Sequence, residues 1–281
     1  MLFNIIAAFG AGALASCIGA VPAFVMTGLI TIVGAIAGMA GFDTIAFGTV
    51  FGPHIAFAGA VAATAYAAKK GYGVDGPAVG TPLAPLGKPD VIVVGGLFGI
   101  IGWAIATFVV GNIFGPILPA TDTPGMTVVI SGIIARLAFG KRGLASGTRG
   151  AVTSAQSVLI AVAFGLMVAG TGIALNAVNP DIMGSYNLII FGIAAFTLIF
   201  PGAPAWHQIG ITSAAATSMG LAAGMSGFAV VLFAVAIGVF ANFLCDLEGY
   251  LINSDVDSHI DGPGFAICLT TIVLSVIGGL L

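Results

Sequence analysis

Charge is what this chain has least of. Only 6% of its 281 residues are Asp, Glu, Lys or Arg, 59% are hydrophobic, and the mean hydropathy is +1.19. A soluble domain carries about a quarter charged residues, so a water-exposed globular fold is excluded. A nucleic-acid surface is excluded as well, because seven basic residues face ten acidic ones and no basic tract exists. Cysteine is also scarce. Cys17, Cys245 and Cys268 have no metal-ligand spacing and sit in apolar context, so they read as small buried hydrophobes, and neither a metal nor a cofactor is expected. No Walker-type glycine loop, no Ser–His–Asp spacing and no zinc or haem pair of histidines on one helix is present, so an enzyme is not expected. The long runs also lack polar–apolar alternation, which removes a barrel and leaves helices to do the spanning.

What is abundant is apolar sequence punctuated by glycine. Runs near 2–20, 22–41, 47–68, 91–115, 126–140, 154–176, 187–203, 207–224, 228–250 and 263–281 predict about ten transmembrane helices, some shorter than the roughly 20 residues a full crossing needs. Leu14–Cys17 (LASC) has the look of a lipoprotein cleavage box. It has no basic leader and is followed by more apolar sequence, so it reads as part of a retained first span. The clear loops are 69–90, 116–125, 141–153, 177–186 and 251–262, and Gly and Pro make the first of these an extended surface loop.

Basic residues fix an orientation. Lys69, Lys70 and Lys88 fall in one region, Arg136, Lys141, Arg142 and Arg149 in another, and none follows. The two regions are separated by two spans and so share a side, which the positive-inside rule makes cytoplasmic. Counting spans outward then puts both termini outside a cell (inner) membrane.

Two stretches occur twice. FGTVFGPHIAFAGAVAAT, from Phe47, returns as FPGAPAWHQIGITSAAAT, from Phe200, with His54/His207 and Thr64/Thr217 in one register of 153 residues. DTPGMTVVISGII, from Asp122, is echoed by DGPGFAICLTTIV, from Asp261. With only three histidines in the chain, two in register carry weight. The chain therefore divides into 1–150 and 151–281, two five-span repeats of one membrane domain. Five is odd, so the second would insert inverted relative to the first, an arrangement typical of secondary transporters and some channels. In span count alone this is similar to compact five-plus-five carriers and urea-type channels.

The repeated elements suggest a chemistry. Asp followed two residues later by Pro and then Gly marks a helix start, with the carboxylate accepting free N–H groups and Pro in the first turn. Met126–Gly140 gives only about 22 Å of helix, so the helices led by Asp122–Gly125 and Asp261–Gly264 are expected to begin inside the membrane. FGTVFG and FPGAPAW predict breaks before the helices that His54 and His207 lead. Helix N-termini and imidazoles together would favour a small polar or anionic solute. The substrate-binding candidates are thus His54, Thr64, His207, Thr217, Asp122, Gly125, Asp261 and Gly264. His54 is expected to approach Thr217 across the repeat, and His207 to approach Thr64. Asp43, Asp246 and Glu248 are candidates for Na⁺ or H⁺ coupling. Asp255, Asp257 and His259 match no standard metal pattern, their segment reads as an aqueous loop, and Arg136 is expected to snorkel.

The function these readings imply is movement of a small polar or anionic solute between the repeats, by channel or carrier. The alternative is an ion-conducting or anchoring subunit of a larger complex. Gly-x-x-x-Gly spacings such as Gly48 with Gly52 are compatible with a homo-oligomer in the lipid bilayer.

Overall fold

Apolar runs without alternation leave the backbone no way to satisfy itself except by helix, and among the described residues all regular structure is helical. The computed structural model describes residues 1–118, 121–145 and 150–280; Arg149 lies outside the described residues. In chain order the helices are α1 (Leu2–Ile18), α2 (Ala20–Ala37), the short α3 (Phe42–Ala46), α4 (Ala56–Lys69), α5 (Pro89–Ile117) and α6 (Thr123–Phe139). There follow α7 (Ala155–Val178), α8 (Tyr186–Phe196), α9 (His207–Ala222), α10 (Gly227–Asn253) and α11 (Gly262–Gly278).

Four of these, α2, α5, α7 and α10, are long and apolar enough to cross a membrane, which makes the chain compatible with a membrane location. The apolar runs predict more spans of full length than that. The difference has a cause in the chain: where a run contains Gly and Pro, the helix starts late. The run at 47–68 is turns as far as Ile55 and helix only from Ala56, and the run at 187–203 stops being helical after Ile199. At about 1.5 Å per residue, α4 with 14 residues and α6 and α11 with 17 reach about 21–25 Å, below the roughly 30 Å of a hydrocarbon core.

α1 and α2 are separated by one residue, Gly19, whose φ of 96° turns the chain. The N–H groups this break frees on Ala20 and Val21 are taken by the Val79 carbonyl, at 2.8 and 3.2 Å. The long loop after α4 therefore folds inward to cap α2; it is not a free surface loop.

Packing follows a pattern. α1 lies against α4 and α5, and α7 lies against α9 and α10. Between these groups α2 packs on α8, and α6 on α11. Gly28 and Gly192 let the first pair touch: a Cβ on Gly28 would sit 2.8 Å from the Gly192 carbonyl oxygen, and one on Gly192 the same distance from that of Gly28. In a lipid setting such small-residue crossings are how helices gain contact.

The segment after α10 is not an aqueous loop. The Lys141 N–H donates to the Asp257 carboxylate at 2.6 Å, Arg136 holds Ser258, and Gly132 faces Ile260. Residues 254–261 thus descend along α6 from its C-terminal end toward its N-terminal end. Arg136 does not snorkel: it is 1% exposed, and all five guanidinium N–H groups are used. Nε donates to Ser258 Oγ, Nη1 to the carbonyls of Leu144 and Ile252, and Nη2 to Asn253 Oδ1 and the Ser258 carbonyl.

Candidate functional site: a cavity at the crossing of two helix starts

Both Asp-x-Pro-Gly sequences start helices as their residues require. Asp122 accepts the Gly125 N–H at 2.6 Å and Asp261 accepts the Gly264 N–H at 2.7 Å, with Pro in the first turn of each helix. The two starts meet. A Cβ on Gly125 would stand 2.7 Å from the Gly264 carbonyl oxygen, and one on Gly264 3.2 Å from that of Gly125. Only glycine at both positions lets the backbones pass this closely.

Beside this crossing lies a cavity of about 440 Å³. Its wall takes Asp122, Pro124, Gly125 and Val128 from α6 and its cap, and Asp261, Pro263, Gly264 and Ile267 from α11 and its cap. These are four matched pairs in one register. α2 and α8 contribute Val21 and Phe24, and Leu188 and Phe191, again as pairs at a common offset. The rest of the wall includes Pro53 and Phe57 at the start of α4, Val79 from the inward loop, His207 and Ile211 at the start of α9, and His259. Most of the surface is apolar or aromatic, and the ionisable groups are Asp122, Asp261, His207 and His259. His259 Nε2 lies 3.5 Å from Asp261 Oδ1 and its ring stands edge-on to Phe57 at 6.1 Å.

The two histidines in register are placed differently. His207 is the first residue of α9, lines the cavity and stacks on Phe24 with ring centroids 4.8 Å apart. His54 precedes α4 by two residues and is not part of the wall; its carbonyl oxygen is pressed against Gly102. In both, Nδ1 is buried without a hydrogen-bond partner. Thr64 and Thr217 stand apart from the cavity. Their hydroxyls donate to the carbonyls of Ala60 and Ser213, four residues back in their own helices, at 2.9 and 2.8 Å. Thr217 also packs on Gly172 and Tyr186, so the crossed histidine–threonine contacts do not form.

The acidic candidates are scattered. Asp43 is exposed on α3. Asp246 accepts from Thr153, from Ser157 at 2.7 Å and from Asn242 at 3.5 Å, in a polar cluster that Asn242 extends to Gln208. Glu248 is 2% exposed and accepts twice from Asn253 Nδ2, at 2.7 and 2.8 Å, which ties it to the Arg136 hub and away from the cavity. Of the trio considered for a metal, Asp255 pairs with Arg142, Asp257 with the Lys141 N–H, and His259 with Asp261, so their side chains diverge. Gly48 and Gly52 lie in a turn, with the Gly52 N–H bonded to the Gly48 carbonyl, and form no helix face.

Sequence reasoning missed Phe24, Phe57 and Phe191 and weighed His259 only for a metal. The place of His259 in the wall was hidden because its segment is short and polar. The phenylalanines had no distinguishing mark among 20. Comparison with known proteins adds one match: residues 1–152 fit a family described as "Family of unknown function (DUF7973)". The chain belongs to that family. No curated protein and no solved structure matches it.

Proposed function

We propose that this DUF7973 protein is a membrane transport protein that moves a small polar solute through the cavity between two inverted five-helix repeats. In this reading α1, α2, α4, α5 and α6 correspond to α7, α8, α9, α10 and α11. The basic loops are cytoplasmic and both termini lie outside. The supporting observation is that register-matched residues of the two repeats, Asp122/Asp261, Pro124/Pro263, Gly125/Gly264 and Val128/Ile267, line one cavity at the crossing of two helix starts. The matching pattern of neighbours supports it too: α1 with α4 and α5, α7 with α9 and α10, and two self-matched pairs, α2 with α8 and α6 with α11. Helices that begin within the membrane expose backbone donors and carbonyls, and these are tolerated only where protein or a water-lined path satisfies them.

Cysteine accessibility tests this without knowledge of the solute. With Cys17, Cys245 and Cys268 replaced by Ala, Ile211→Cys or Leu188→Cys is exposed to a membrane-impermeant maleimide in right-side-out and inside-out vesicles. A transport path gives labelling from both sides. If Asp43→Cys labels and neither cavity position does from either side, the transport reading fails.

A further inference from the structure

The charge on the cavity wall has one sign. Asp122 and Asp261 each spend one hydrogen bond on their own helix start, and no Lys or Arg lines the cavity. Capping matters here, because the Gly125 and Gly264 N–H groups, which could have drawn an anion, are already given to carboxylates. Asp261 has His259 on its other oxygen, 3.5 Å away, whereas the second oxygen of Asp122 has no hydrogen bond among the described residues. A carboxylate oxygen only accepts, so what this atom lacks is a donor. Across the same wall stand the rings of Phe24, Phe57 and Phe191, whose faces carry negative potential. His207 is 6% exposed and lines the cavity, and its buried Nδ1 has no hydrogen-bond partner among the described residues. A buried imidazole without a partner costs free energy until something supplies one.

Resting on the transport reading, we propose that the solute is an organic cation, a protonated amine with an apolar or aromatic body. Its ammonium donates to the free oxygen of Asp122 and to His207, and its body lies against Phe24, Phe57 and Phe191. This narrows the expectation of a polar or anionic solute: an anion would face two carboxylates and no cationic side chain except by protonation of a histidine.

Three probes with one ring and a two-carbon chain separate the possibilities: 2-phenylethylammonium, 2-phenylethanol and phenylacetate. Each is titrated into the purified full-length protein in mild detergent, with binding read as ligand-dependent thermal stabilisation and by calorimetry. The ammonium is expected to bind saturably and at least tenfold tighter than either other probe. Asp122→Asn is expected to weaken it at least tenfold while eluting as a folded, monodisperse protein, because Asn caps a helix as well as Asp does. Phenylacetate binding as tightly as the ammonium overturns the inference, as does equal binding by the folded Asn variant, or no binding of any probe. Labelling of Ile211→Cys from both sides with no ammonium binding sinks the solute class alone. Ammonium binding with neither cavity cysteine labelled keeps the site and sinks transport.

Discussion

Arg136 gives the most quantitative prediction, because its surroundings can be counted donor by donor. A guanidinium has five N–H groups, and here each has an acceptor: Ser258 Oγ, Asn253 Oδ1 and the carbonyls of Leu144, Ile252 and Ser258. Four of the five lie between residues 252 and 258, from the last turn of α10 into the segment that leads to α11. In Arg136→Lys the ammonium has three donors on a single nitrogen and meets at most three of these acceptors. Two buried acceptors are then left over, each at about 1–3 kcal/mol, so the substitution should cost about 2–6 kcal/mol. Arg136→Met removes all donors and leaves all five acceptors unmet. It should cost more than Lys, because five acceptors lose their donor where Lys leaves two. Thermal unfolding in detergent, followed by loss of the monodisperse elution peak, gives the ranking wild type, then Lys, then Met. Limited proteolysis should place the first new cut within 249–261. A Lys variant as stable as the wild type would refute the hub, as would a Met variant no worse than Lys.

Two further substitutions separate packing from binding. Gly125→Ala places a Cβ 2.7 Å from the Gly264 carbonyl oxygen, a backbone atom that cannot swing away. Overpacking of this kind costs about 1–3 kcal/mol, and the variant should also lose maleimide access at Ile211→Cys; unchanged stability and access would mean that the crossing is looser than drawn. Thr64→Val and Thr217→Val remove hydroxyls that donate only within their own helices, so affinity for 2-phenylethylammonium should change less than twofold, and a tenfold loss in either would return the threonines to the site.

Helix class and helix starts were legible because each has a local cause. Continuous apolar runs force helix, and Asp122 and Asp261 cap the helices that their Pro and Gly neighbours predict. The cavity was half legible. Register pointed to His207, Asp122, Gly125, Asp261 and Gly264, and all five line it. It pointed equally to His54, Thr64 and Thr217, which do not. A shared offset in sequence says nothing of the neighbours each position meets: the Gly102 approach fixes the His54 backbone, while the break at 200–206 frees His207 to head its helix.

The polar segment 254–261 shows why composition misleads in so apolar a chain. Six of its eight residues are Asp, His or Ser and read as water-seeking, and in an isolated loop they would be. Here four of its polar groups have partners from α6, the residue just beyond it, the end of α10 or the segment itself: Asp257 the Lys141 N–H, Ser258 the Arg136 guanidinium, His259 the Asp261 carboxylate, and the Ile260 N–H the Asn253 side chain. Once paired in this way, an irregular segment costs little to lay against a helix. One buried arginine on α6 therefore determines where residue 261 starts the last helix, and so where the second half of the cavity wall stands. That dependence runs through contacts 116–122 residues apart in sequence, a separation at which no reading of local pattern can see it.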